Sequence, residues 1–259
     1  MEESPTLMRL APADLARLLR ELTAADSVEL KLSVPDDDRQ STITALGMDP
    51  LAAQIRQVAF FDTPDLALDR AGLVLRARRV QGKSGDSVVK LRPLDPESVD
   101  ADLRRASDFG VEVDAMPGGF VCSGSLKAKV ADETVHAVMT GRRTVRSTFD
   151  KAQRALAGRH LPEGIGLDDL VVLGPLTILK LKFEPDGLGR RLVAELWFYP
   201  DGSRLLELST KCTADEAFHV AVELRSFLGA RGVDLTGEQR TKTRTALDLL
   251  ARPALAGAT

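Results

Sequence analysis

Charged residues recur at every second position in several short segments of this chain. Glu29 and Lys31 form one such pair, Arg76 and Arg78 a second, and Lys90 and Arg92 a third. Lys180, Lys182 and Glu184 follow, then Glu195, then Glu207 with Lys211. The residues between them are mostly Leu, Val, Ala and Phe. In an extended chain successive side chains point to opposite faces, so each segment has one charged and one apolar face. Basic residues outnumber acids on the charged face, which makes an anion its natural guest. Arginine's planar fork can hold two oxygens of a phosphate, and lysine supplies a point charge. Carboxylates beside such cations are what Mg²⁺ or Mn²⁺ needs to bridge phosphates.

An open sheet with one solvated face would give the same pattern. Two features favour an inward charged face instead. Thr, Ser, Gln and Asn are sparse among the charges, and the helices between the strands need the Leu and Val face to pack on. A curled sheet with helices outside turns its charges inward, where they must pair or hold a polyanion. This predicts an α+β protein, an antiparallel β-barrel with helices packed outside.

Elements that would position the charges are readable along the chain. Leu15, Leu18, Leu19 and Leu22 predict an amphipathic helix over 12–24, with Pro12 early in it. From Val28 the period becomes two. Strands are predicted at 28–32, 73–78, 88–92, 110–114, 179–184, 192–199 and 206–211. Gly82-Lys83-Ser84-Gly85 reads as a hairpin loop, Met116-Pro117-Gly118-Gly119 as a turn, and Pro200-Asp201-Gly202 as a strong turn signal. Segments 125–141 and 148–160 read as helical. Closing helices are expected at 213–230 and 236–251, opened by Thr213 with Glu216 and Thr236 with Gln239. The expected organisation is an N-terminal helical segment (1–26), one tunnel domain (27–252) with an elaboration at 95–170, and a flexible tail (253–259).

Composition excludes several classes. Lys and Arg number 35 and Asp and Glu 38, for a net charge of −3, so nothing global attracts a nucleic-acid duplex or a membrane. Any anion site must come from local clustering. Cys122 and Cys212 lie far apart, the opening residues do not read as a signal peptide, and Val171 to Leu181 is too short to span a bilayer. A cytoplasmic location is expected. His136, His160 and His219 lack zinc spacing, and no serine-hydrolase elbow or P-loop is present. Glu112 and Asp114 are expected to pair with Lys or Arg. Trp197 and Tyr199 share a face with Glu195 as packing groups, with nucleotide stacking as the other reading.

Phe60-Phe61-Asp62-Thr63-Pro64, followed by Leu68-Asp69-Arg70-Ala71-Gly72 and then Arg76-Ala77-Arg78, resembles a motif of the CYTH superfamily. These are the triphosphate tunnel metalloenzymes, which include class IV adenylate cyclases, thiamine triphosphatases and inorganic triphosphatases. The resemblance continues through Lys90-Leu91-Arg92, Lys180 and Lys182, and Glu207 to Arg244. It implies a triphosphate-tunnel barrel in which Lys31, Arg76, Arg78, Lys90, Arg92, Lys180, Lys182, Lys211 and Arg244 bind substrate. It further implies Glu29, Lys31 and Glu207 as catalytic residues, and Glu29, Glu207 and Glu195 as ligands for Mg or Mn. The chain departs from the family at Ser27 and Ser209, where carboxylates are usual. Three functions remain open on this reading. One is a metal-dependent hydrolase of a triphosphate, another a non-catalytic binder of polyphosphate or a nucleotide, and the last an adenylate cyclase.

Overall fold

The computed structural model describes residues 12–235, 239 and 241–256. Nine strands form one closed barrel in the order β1-β5-β6-β4-β3-β2-β7-β8-β9, with β9 pairing back onto β1. In chain order the helices and strands are α1 (Pro12–Ala24), β1 (Ser27–Val34), α2 (Arg39–Ala45), β2 (Gln54–Asp62), α3 (Ala67–Arg70), β3 (Leu73–Val80) and β4 (Lys83–Leu91). Then come α4 (Ala101–Arg105), β5 (Phe109–Met116), β6 (Gly119–Val130), α5 (Asp132–Met139), α6 (Lys151–His160) and β7 (Val171–Phe183). The chain closes with β8 (Leu192–Phe198), β9 (Arg204–Cys212), α7 (Ala217–Gly229) and α8 (Lys242–Ala256). None of the described helices is long and apolar enough to cross a membrane.

Strand alternation decides which face is which. On β1, Val28, Leu30 and Leu32 are buried in the outer core, where they meet residues of α1 and α7, while Glu29 and Lys31 face the interior cavity. The same core takes Ala59 and Phe61 of β2, Leu75 and Ala77 of β3, and Val135 and Val138 of α5. Leu18 and Leu22 of α1 join it too, so the N-terminal helix shares the barrel's core. A second cluster lies on the inward side. Val58, Phe60, Ile178, Trp197 and Tyr199 pack there against Ala246, Leu247 and Ala251 of α8. Unlike the outer helices, α8 therefore docks on inward-facing side chains, with its first turn at the cavity.

Several expectations need correction. The barrel is mixed, because β1 runs parallel to β5; every other pairing is antiparallel. The stretch from 95 to 170 does more than elaborate the sheet, since β5 and β6 are barrel strands within it. Residues 125–130, read as helical, are the second half of β6. Their Ala- and Lys-rich composition suits a helix, but pairing with β4 from Gly85↔Val130 to Leu91↔Gly124 overrides that propensity. The β3–β4 hairpin is tighter than expected, with only Gln81 and Gly82 between strands. Before α7 half of the expected capping box forms, with the Glu216 carboxylate accepting from the Thr213 N–H and hydroxyl, but the helix itself begins at Ala217. Thr236 lies outside the described residues, and α8 starts at Lys242. The helix also runs through 253–256, expected as tail; residues 257–259 lie outside the described ones.

The motif around Asp62 has a structural role. Asp62 is buried and accepts hydrogen bonds from the backbone N–H groups of Thr63, Leu68 and Asp69. That clamp folds the chain through α3 and holds Leu66 at φ 60, a conformation costly for a non-glycine residue. It places Asp69 at the cavity and starts β3 in the register that turns Arg76 and Arg78 inward.

Candidate functional site

The barrel interior encloses a cavity of about 860 Å³. Twelve Lys and Arg side chains line it against six carboxylates, in a chain whose net charge is −3. Every residue expected at the site reaches this one space: Glu29, Lys31, Arg76, Arg78, Lys90, Arg92, Lys180, Lys182, Glu195, Glu207, Lys211 and Arg244. Lys182, Lys211 and Arg244 are the exposed members.

Three charge groupings divide the lining. The first centres on Asp114, whose carboxylate is fully buried. Lys31 Nζ lies 2.7 Å from it, Lys90 Nζ 3.4 Å and Arg92 Nη1 3.8 Å. Lys31 also reaches Glu29 at 3.0 Å. Burial opposes ionisation of Glu29, yet Lys31 and Lys242 outweigh it and hold the carboxyl at about 2. Burial likewise disfavours the charged Asp114, and the Lys90 and Lys31 ammoniums override it and lower its pKa. For Lys90 burial wins: desolvation, helped by Lys31, Arg92 and Arg76, brings it down to about 8 against the pull of Asp114. Glu112, beside this group, pairs with Lys211. Both acids of β5 therefore meet the basic partners expected for them.

The second grouping surrounds Lys242, the first residue of α8. Its ammonium is 2.6 Å from Glu195 Oε2 and 2.6 Å from Glu207 Oε1. The other oxygen of Glu195 accepts from Lys180 at 2.7 Å. Burial disfavours the charged Lys242, but Glu207 and Glu195 raise its pKa nonetheless. The Trp197 indole N–H points at Glu195 from 3.4 Å. Both Trp197 and Tyr199 are buried against α8, as packing groups would be.

The third grouping is poor in carboxylates. Arg78 pairs with Asp86 at 2.9 Å, and Arg56 donates to the Gln54 side chain at 2.9 Å. Arg76 makes no ion pair among the described residues, and its Nε is buried without a hydrogen-bond partner. Burial and the adjacent Arg78 bring its pKa down to about 10. A buried guanidinium N–H left without a partner is costly and suited to an incoming anion.

Sequence reasoning missed Lys242, Arg56, Lys127 and Asp69 as lining residues. Arg56 carried a signal, since Arg56, Val58 and Phe60 continue the alternation upstream of the Asp62 motif. Lys242 carried only its spacing of two from Arg244, in a stretch read as mid-helix.

Oxygens of Glu29, Glu112 and Asp114 lie within 4.8 Å of one another, close enough to share a cation. However, Asp114 and Glu29 already share Lys31, and Glu112 holds Lys211. In the set expected from sequence, Glu195 and Glu207 are joined by Lys242, with Lys31 on Glu29. These carboxylates could hold a divalent ion, and each also has an ammonium as its near partner, so such an ion would compete with a lysine. All three histidines are exposed, and both cysteines are buried thiols.

No protein-family model and no curated protein sequence matches the chain. Among solved structures, a candidate adenylyl cyclase from Hippeastrum with a dominant triphosphatase activity is 18% identical. The likeness covers 85% of this chain and 94% of that one, with a TM-score of 0.62. A candidate adenylate cyclase from Bacillus halodurans is 14% identical over 84% of this chain and 96% of its own, with a TM-score of 0.57. At these identities the likeness is one of fold, and that fold agrees with the tunnel type implied by the sequence resemblance.

Proposed function

We propose that this protein binds a triphosphate or another polyphosphate-containing anion inside its barrel. One observation carries the reading: twelve cations against six carboxylates converge on a single cavity of about 860 Å³ in an acidic chain. Such an excess repels itself when the tunnel is empty and is relieved by a linear polyanion. Arg76, Arg78, Arg56 and Lys127 would hold non-bridging oxygens in the carboxylate-poor stretch. Lys31, Lys90 and Arg92 already neutralise Asp114, and would offer their remaining donors to the next phosphate.

A second reading, hydrolysis of a phosphoanhydride bond, is favoured by the fold shared with the Hippeastrum protein and its triphosphatase activity. Its chemistry would be positioning and charge neutralisation by the same cations, with Glu29, Lys31 and Glu207 nearest the reacting end. No metal step is included, because the carboxylates are occupied by lysines. A cyclase would need the same tunnel plus a pocket for the adenine base; Trp197 lines the cavity but is only 2% exposed, packed against α8.

Tripolyphosphate should raise the melting temperature, with a gain of about 2.7 kcal/mol at roughly a hundred times the dissociation constant. The gain should shrink as salt rises. Absence of any shift with tripolyphosphate or ATP at low salt would sink the binding reading. Phosphate release from tripolyphosphate, measured with and without added Mn²⁺, separates an enzyme from a binder.

A further inference from the structure

Glu195 on β8 and Glu207 on β9 are direct cross-strand neighbours. Like charges in that relation destabilise a sheet, and both residues are buried, at 8% and 3% exposure. The barrel needs a cation between them. Lys242 supplies it, with its Nζ 2.6 Å from an oxygen of each.

The lysine is held in place from both sides. Behind it, Ala246, Leu247 and Ala251 of the same helix pack on Ile178 and Trp197. Arg244, two residues on, is tied to Asp69 at 2.7 Å. Ahead of it, the Gln239 amide accepts from the Ser33 N–H at 2.8 Å and donates to the Ser33 carbonyl at 3.3 Å. Elsewhere in the tunnel, hydroxyls help the lysines satisfy the acids: Ser209 donates to Glu29 at 3.2 Å and Ser27 to Glu112 at 3.3 Å.

We propose that Lys242 is a built-in counter-cation standing where a divalent ion would bridge Glu195 and Glu207, so the tunnel holds a polyphosphate without a resident metal. The second half of this statement rests on the proposed anion-binding function; the first does not. An ammonium has three N–H donors, and the two carboxylates use two of them. The third is available to a phosphate oxygen, the contact a bridging metal would otherwise make. Entry of a divalent ion between Glu195 and Glu207 would require Lys242 to give up both carboxylates, and the cost of stripping a buried ammonium of its partners opposes the ion.

The test is calorimetric and uses the full chain in buffer stripped of divalent ions by resin. Mn²⁺ titrated alone into the unmodified protein should give no binding heat, whereas Lys242→Gln should bind Mn²⁺ at least about tenfold tighter. Lys242→Arg, which keeps the charge, should exclude Mn²⁺ as the unmodified protein does. Tripolyphosphate should bind the unmodified protein as tightly in stripped buffer as with Mn²⁺ present. Tight Mn²⁺ binding by the unmodified protein overturns the proposal, as does tripolyphosphate binding that requires Mn²⁺; either result leaves the anion-binding function standing. Failure of tripolyphosphate to bind in either buffer overturns that function, while the Mn²⁺ titrations still decide the role of Lys242. If Lys242→Gln does not fold, the two titrations of the unmodified protein decide it alone.

Discussion

Lys31 donates to Asp114 at 2.7 Å across the β1–β5 seam, the one parallel pairing among the described strands. The contact joins two strands more than eighty residues apart in sequence. It sits where Lys90 and Arg92 also converge on the same carboxylate. A single buried acid thus neutralises cations from two strands, β1 and β4, and from the residue that follows β4.

Replacing that acid tests its weight. Asp114→Asn leaves three clustered cations without their shared carboxylate, and breaking a buried pair from one side costs about 3–5 kcal/mol. Because the folded-state pKa of Asp114 lies below the ordinary 3.8, its contribution is complete above 3.8 and is lost as pH falls from there through the lower folded-state value. Denaturant melts of both proteins should therefore converge in acid. Tripolyphosphate should restore part of the loss near neutral pH; a variant as stable as the unmodified protein would contradict the network.

Arg76 should behave in the opposite way. Having no ion pair to lose among the described residues, Arg76→Met should leave the empty protein at least as stable as before. Its tripolyphosphate affinity should fall about 10- to 100-fold, the loss of one hydrogen-bonded charge contact of about 1.5–3 kcal/mol. An unchanged affinity by calorimetry would remove Arg76 from the binding surface.

Lys90 sets a pH dependence of two signs. Burial, with the neighbouring cations, brings it down to about 8, below its ordinary 10.5. Between those values the unfolded chain holds a proton that the folded protein has lost, so this residue's contribution to stability rises with pH across the window. Anion affinity should run the other way, weakening above about pH 8 as the ammonium is lost. Melting temperature and tripolyphosphate affinity measured from pH 7 to 10 should diverge in the unmodified protein, and Lys90→Met should flatten the Lys90 part of both.

Gln153 offers a control away from the tunnel. Its side chain is fully buried, donates to the carbonyls of Ser87 and Leu126, and accepts from the Ser87 hydroxyl, stitching α6 to β4 and β6. Gln153→Met strands those groups and should cost about 1–3 kcal/mol or more. Tripolyphosphate affinity of the folded variant should be unchanged, and a large affinity loss would mean that α6 shapes the tunnel.

Local periodicity is written into the chain itself, because whether a side chain points in or out of a strand depends only on its immediate neighbours. The alternation at Glu29 and Lys31, Arg76 and Arg78, and Lys180 and Lys182 was legible for that reason, as was α1 from its leucine spacing. An inward charged face also followed, since helices between the strands must cover the apolar one. What needed the closed barrel was every relation across long sequence separation. Nothing near residue 114 announces that Lys31 and Lys90 will reach it, because that meeting depends on the parallel seam and on strand register. Residues 125–130 have a helical composition, and only the ladder with β4 makes them a strand. Lys242 reads as an ordinary helical lysine until α8 docks on Trp197 and Ile178 and carries it between Glu195 and Glu207. Residue types and their faces are local properties, whereas the partners that decide their charge state and chemistry exist only once the barrel has closed.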